Sequence, residues 1–313
     1  MEVKNQWKGW AYLGPALAVL AVFTIYPIFR TIILAFQEGY NQLEAVGGKT
    51  YPWGFNNFVT ILNPNGLYGE LFYRALKNTS LIVILTVIPS TFLALLIAVA
   101  LNSIKPLQKI LQTIYFLPYI TNTLAIAAVF AIIFQSSGQA GASVGILNNI
   151  ITACGGEPVD WLNGTNYAAS IAVVCIYDIW AGLPFKILIL LGALQSVNKQ
   201  CYEAAKIDGT PKRRVLTRIT IPLISPMLSY LIITGFIGAF KEYTSIIGLF
   251  PAQGNKMGEG NFMITIVGLI YHFIDGDKAS EFGMASAASL VLLIIIMIFT
   301  AINMLVSKKK VHY

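Results

Sequence analysis

Six stretches of this chain are too long and too apolar to serve as core elements of a water-soluble domain. They cover residues 10–35, 76–101, 110–134, 167–194, 223–249 and 282–306. At 1.5 Å rise per residue, about 20 apolar residues in a helix cross the ~30 Å hydrocarbon layer. In lipid every backbone N–H and C=O must be satisfied within the structure itself, so such runs fold as helices. The chain is 56% hydrophobic and 11% charged, with a mean hydropathy of +0.69; soluble domains carry about 25% charged residues. The expected fold is therefore all-α, a polytopic membrane protein with six transmembrane helices. Ala16-Leu17-Ala18 mimics a signal-peptidase site, but the apolar run continues well past it, so the first helix is read as uncleaved.

The charges orient these spans. Lys4 and Lys8 precede the first, Lys105 and Lys109 lie between the second and third, six Lys and Arg lie within 195–222, and Lys308, Lys309 and Lys310 follow the last, thirteen of the 21 basic residues. The alternate loops, 36–73, 135–166 and 250–281, are acidic on balance. The positive-inside rule then predicts both termini in the cytoplasm. The organisation expected is a short tail at 1–9, a membrane domain at 10–306 and a second tail at 307–313. A pI near 9.2 raises the question of nucleic acid, but cations gathered at span ends argue for topology instead. Cys154, Cys175 and Cys201 fall outside, within and inside the membrane on this topology, which is neither a disulfide framework nor a metal pattern. Pro118 and Pro184 are expected to bend the third and fourth spans, and Trp10 and Tyr12 to anchor the first at the interface.

The most charged segment of the chain, residues 202–226, carries its own helix punctuation. Ala204, Ala205 and Lys206 favour helix and Gly209 supplies a stop. Thr210-Pro211 reads as an N-cap with Pro at the first position of a second helix. A helix–Gly–helix unit between two spans suggests a docking surface for another protein. Lys206, Lys212, Arg213, Arg214 and Arg218 alone could be topology determinants facing lipid head groups, but that leaves the Ala-Ala-X-X-Asp-Gly pattern unexplained.

Glu203-Ala204-Ala205, Gly209 four residues after Ala205, and Ile221-Pro222 resemble the EAA loop of permease subunits of binding-protein-dependent ABC importers. The flanks 192–197 and 219–223 resemble the maltose-type sugar branch, as do Lys77-Asn78-Thr79, Phe116-Leu117-Pro118, Pro184-Phe185 and the 308–313 tail. The resemblance implies a type I, maltose-permease-like fold and a coupling loop at 195–222 that sits in a groove of a cytoplasmic ATPase. Glu203, Ala204, Ala205, Asp208 and Gly209 are then the coupling residues: the alanines keep the helix slim, Glu203 offers charge to a basic partner and Gly209 permits the turn. It also implies a second permease subunit, most simply as a heterodimer, two ATP-binding subunits, an extracytoplasmic solute-binding protein and a bacterial cell membrane. The solute expected is an oligosaccharide or related sugar.

Ionisable residues inside spans are costly and face a cavity or a partner. Asp178, Gly182 and Phe185 share a helical face, i, i+4, i+7, offering an acceptor, a gap and a ring; Gly235, Gly238 and Glu242 make a similar face on the fifth span. With Trp180 and Tyr243 these residues, Asp178, Gly182, Phe185 and Glu242, are the substrate-binding candidates; Tyr115, Tyr119 and Tyr177 are read as packing. By resemblance the fourth-span positions match sugar contacts of the maltose-type permease, which has Asn where this chain has Asp178 and Glu242. The alternative is an interhelical ion pair, Asp178 with Lys241. Lys186 is expected to snorkel towards the cytoplasm.

No acid–Ser, His-based or metal-ligand constellation surrounds His272 or His312, and there is no Gly-Lys-Ser/Thr phosphate loop, so no catalytic residue, cofactor or metal is assigned and ATP hydrolysis falls to a partner. Three rivals remain: a permease of the same architecture for glycerol phosphate or a polyol, a polytopic membrane enzyme, and an ion channel working without ATPases.

Overall fold

The computed structural model describes residues 6–104, 108–135, 145–250, 259–275 and 281–310. Lys4, the turn with Lys105 and Pro106, parts of the loops 135–166 and 250–281 and His312 lie outside the described residues. Helices α1 (Gln6–Leu20) and α2 (Tyr26–Phe36) are followed by α3 (Leu67–Ser103), α4 (Gln108–Ile120) and α5 (Thr123–Ile133). Then come α6 (Tyr167–Ser196), α7 (Lys199–Ile207), the bent piece α8 (Lys212–Leu223), α9 (Ser225–Phe240), α10 (Thr244–Leu249) and α11 (Phe282–Lys310). Four helices are long and apolar enough to cross a membrane unbroken: Lys8–Phe36, Leu67–Ser103, Tyr167–Ser196 and Phe282–Ser307. The pairs α4–α5 and α8–α9 turn through 95° and 69° at their breaks, which makes six spans when each pair is one. Among the described residues there is no strand, only an isolated bridge between Gln37 and Trp53.

Two of the irregularities have one cause. Pro27 and Pro222 each lack the N–H that would close an α-helical bond, and each is preceded by a π-helical turn, Ala21–Ile25 and Leu216–Thr220. The wider turn absorbs the register error that proline introduces. Pro184, by contrast, is carried inside the unbroken α6.

The chain divides into two compact units. The first holds the residues up to Tyr73 together with Leu269–Leu292. Its polar centre is Asn57, buried, whose amide donates to Ala35 O and Gln37 O, both at 3.0 Å, and so satisfies carbonyls at the end of α2. Tyr68 donates to Glu281 Oε1 at 2.8 Å in the same unit.

The second unit holds Arg74–Gly268 and the end of α11. Its apolar core joins Ala94, Ala98 and Leu101 of α3 to Leu190, Leu191 and Leu194 of α6 and to Leu231 of α9. In lipid such contacts stabilise through close packing rather than removal from water. Asn78 and Thr79, near the start of the second apolar run, are fully buried joints. Asn78 Nδ2 donates to Phe262 O and Ile264 O, both at 2.9 Å, its Oδ1 accepts from Tyr167 at 2.7 Å, and Thr79 Oγ1 accepts from Ile266 N at 3.0 Å. Helix α3 begins at Leu67, so these residues sit about three turns inside it, facing protein.

Candidate functional site

Two helix breaks build the first candidate region. The third span does not simply kink at Pro118. Helix α4 ends at Ile120, and Asn122, extended at φ −62° and ψ 121°, caps α5 by accepting from Leu124 N (2.9 Å) and Ala125 N (3.1 Å). The fifth apolar run is likewise not one helix from 223 to 249. It bends at Ile224 and stops at Phe240, and α10 starts at Thr244. Here the cap comes from Glu242, whose Oε1 accepts from Tyr243 N and Ser245 N, both at 3.2 Å, and from Ser245 Oγ at 2.7 Å. A carboxylate at a helix N-terminus is favoured by the unpaired N–H groups there. The two breaks lock together because α10 packs on α5. Gly248 allows it: a Cβ there would lie 2.5 Å from Ala127 Cβ and 3.1 Å from Leu124 O.

Between these breaks and α6 lies a cavity of about 340 Å³. Asp178, Trp180, Gly182, Gly235, Glu242 and Ser245 all line it. Ser245 Oγ reaches Asp178 Oδ1 at 3.3 Å while donating to Glu242 at 2.7 Å. One hydroxyl carries one proton, so the longer contact is the weaker, and Asp178 keeps acceptor capacity towards the cavity. Trp180 leans on Phe130, centroids 5.2 Å apart. Tyr119, read in sequence as packing, lines the cavity, as does Tyr177.

The remaining candidates are placed otherwise. Phe185 is not in the wall but stacks on Tyr119 from behind, centroids 5.7 Å apart at 18°. Tyr243 begins α10 with its N–H on Glu242 and is also outside the lining. Gly238 is exposed on another face of α9. Lys241 is exposed, and no ion pair joins it to Asp178 or Glu242 among the described residues. It caps the end of α9, where the helix stops and its side chain turns out.

Lys186 corrects a sequence expectation. It is 8% exposed and does not snorkel. Its ammonium donates to Ser90 Oγ, to Thr91 Oγ1 at 3.1 Å and to Val87 O at 3.4 Å. Ser90 and Thr91 pass their own protons back to Thr86 O and Val87 O, so each hydroxyl is free to accept from the lysine. The polar run Thr86, Ser90, Thr91 on α3 was the signal for this, at i, i+4, i+5 around Pro89. Three neutral acceptors close by are a better destination for the ammonium than a distant interface.

The second region is the elbow between α6 and α9. Asn198 caps α7 by accepting from Gln200 N at 3.0 Å. At its end Gly209 N bonds Lys206 O at 3.2 Å and Thr210 N bonds Ala205 O at 2.9 Å, a Schellman closure. Gly209 has φ +64°, the left-handed conformation that closure demands. The cap of the second helix is Pro211, extended at ψ 144°, and not Thr210. Proline needs no N–H at that position, so the helix starts one residue later than expected. Tyr202 and Thr220 hydroxyls meet at 3.3 Å and tie the two arms. Glu203, Ala204, Asp208 and Gly209 are exposed, whereas Ala205 is 4% exposed and faces the fold. Ile207, passed over in sequence, is 87% exposed on the same helix. The thiols are free and dispersed: Cys154 exposed, Cys175 buried, Cys201 half-buried in the elbow.

Residues 90–312 match the family described as "Binding-protein-dependent transport system inner membrane component". The lactose transport system permease protein LacF of Rhizobium radiobacter is 27% identical over 306 residues, covering 97% of this chain and 95% of that one. The arabinooligosaccharides transport system permease protein AraP of Bacillus subtilis is 30% identical over 297 residues, 95% and 87% of the two chains. A chain of a bacterial alginate ABC transporter, crystallised with its alginate pentasaccharide-bound periplasmic protein, superposes with a TM-score of 0.77 over 96% of this chain and 94% of its own length, at 24% identity. That likeness establishes a shared fold. The broken third and fifth spans, the elbow and the span of these matches lead to one conclusion: the chain belongs to the family of inner-membrane components of binding-protein-dependent ABC transport systems, a multi-pass permease subunit of the type I fold and not itself an enzyme.

Proposed function

We propose that this subunit passes a carbohydrate, an oligosaccharide or related sugar, through a pathway that includes the cavity around Asp178 and Glu242. The observation that carries the reading is the chemistry of that wall. Two carboxylates, the hydroxyls of Thr86, Thr121 and Ser245, and the rings of Trp180 and Tyr119 converge on about 340 Å³. Sugar hydroxyls donate to carboxylates, and sugar C–H faces stack on aromatic rings. Asp178, Trp180, Gly182 and Glu242 form the contact set, with Phe185 and Tyr243 acting from behind it. The sugars named for LacF, AraP and the alginate transporter support the class. A phosphate-bearing solute fits less well, because Lys186 already has its donors engaged by Ser90, Thr91 and Val87.

One chain supplies half of a pathway. A second permease subunit completes it, one of two ATP-binding subunits docks on this elbow through Glu203, Ala204, Asp208 and Gly209 and the other on the second permease subunit, and an extracytoplasmic binding protein delivers solute. Both termini and the elbow face the cytoplasm. ATP binding closes the ATPases, the rigid elbow transmits that motion to α6 and α9, the cavity opens outward, and hydrolysis resets it. The thiols offer a direct test of sidedness. In intact cells a membrane-impermeant thiol reagent should label Cys154, and Cys201 only after permeabilisation; the reverse order overturns the topology. Uptake of labelled oligosaccharides by cells producing the complex should require the ATPase partners. Transport by the purified chain alone would return the reading to a channel.

A further inference from the structure

The two arms of the elbow differ in charge balance. Helix α7 and its cap expose Glu203 and Asp208 beside Lys199, Lys206 and Ile207, whereas α8 exposes Lys212, Arg213, Arg214 and Arg218 and no carboxylate. No carboxylate lies within ion-pair distance of those four cations among the described residues. Val215, Leu216 and Ile219 of the same helix are half-buried and Thr220 is buried, while Arg213, Arg214 and Arg218 are exposed and Lys212 sits beside the apolar residues at the mouth of a cavity. It is set 69° from the span α9 that follows it. On the cytoplasmic placement proposed above, exposed cations at a span end lie at the level of anionic lipid head groups. Beneath α8 is a cavity of about 250 Å³ whose apolar wall includes Val99, Leu194, Val215 and Leu216, with Asn102, Tyr202, Lys212 and Thr220 as polar members.

We propose that α8 and this cavity form a binding site for an anionic phospholipid, its phosphate held by Lys212 with its neighbouring arginines and the upper part of its acyl chain against Val99, Leu194, Val215 and Leu216. Four exposed cations with no carboxylate beside them attract an acidic partner. The apolar wall beside Lys212 selects a lipid over free phosphate, which has no use for it. The elbow thereby divides its work: α7 meets the ATPase and α8 holds the membrane surface, giving the lever a fixed pivot. This rests on the cytoplasmic placement of the elbow proposed above.

The test uses the whole transporter complex in nanodiscs of phosphatidylcholine alone or mixed with phosphatidylglycerol. Lipid retained after extraction is read by native mass spectrometry. Each basic residue at a membrane surface contributes about 1 kcal/mol, or about five-fold. Wild type should therefore retain phosphatidylglycerol over phosphatidylcholine, Lys212→Gln should lower that preference about five-fold, and Lys212→Arg should keep it. Equal retention of the two lipids, or an unchanged preference in both Lys212→Gln and Arg218→Gln, overturns the site. Because the complex carries its ATPase subunits, equal retention there assigns the cations to a protein interface instead. Sidedness is judged separately by thiol labelling, so a failed topology and a failed lipid site give different results.

Discussion

The elbow and the cavity are both made where helices stop, yet they are assembled in different ways. In the elbow, cap, stop and restart are supplied by consecutive residues: Asn198, Gly209 and Pro211, with one hydroxyl contact between Tyr202 and Thr220 holding the arms. The cavity needs Asn122 on one broken span, Glu242 and Ser245 on another, Asp178 on the unbroken α6, and a bare glycine where two short helices cross. An elbow closed by consecutive residues can be locally encoded. A cavity between helices is defined only by their packing, and every wall residue depends on residues distant in sequence.

The largest effect expected from breaking that contrast is on the cavity side. Gly248→Val drives side-chain carbons into Ala127 and the carbonyl of Leu124 and should cost about 3 kcal/mol. It should appear as a lowered melting temperature of the detergent-purified complex and loss of uptake; an unchanged melting curve would mean the crossing is looser than drawn. Next comes the elbow. Gly209→Val places a β-branched residue at φ +64°, a strain of about 2 kcal/mol. The complex should still assemble and hydrolyse ATP while uptake falls about 30-fold, since each 1.36 kcal/mol is tenfold. Hydrolysis and uptake falling together would assign Gly209 to folding rather than coupling.

Smaller again, Asp178→Ala should raise the apparent KM for sugar about tenfold, the loss of one charged hydrogen bond, at normal membrane abundance. Identical uptake kinetics would remove Asp178 from the pathway. The smallest change is assigned to Lys241→Gln, at an exposed position with no ion pair: within about 0.5 kcal/mol in stability and no change in uptake. A large effect there would revive the Asp178–Lys241 pair.

Much of the fold was legible in the sequence. Apolar runs of sufficient length have no alternative to helix in lipid, so the number of spans and most of their positions followed from hydropathy. The elbow followed from Gly209 and the Ala204-Ala205 pair. The broken spans did not follow, because Pro118 and Pro222 signal a defect without its size, and Asn122 and Glu242 cap only once a helix has ended beside them. Lys186 was misread for a related reason. Snorkelling is the rule for a lone lysine, and the acceptors that hold it inside lie almost a hundred residues away. The same distance hid Asn78, whose partners are on a late loop.

By itself, then, the sequence determined a six-span helical membrane protein, the stiff elbow between its fourth and fifth runs, and the transport family to which both belong. Only the tertiary structure decided that two spans break and cross, that Glu242 caps a helix while facing a cavity with Asp178, and that Lys186 stays inside. The physical reason is range. Helix formation and capping are settled by neighbours along the chain, while the satisfaction of a buried charge or carboxylate depends on which helices packing brings alongside.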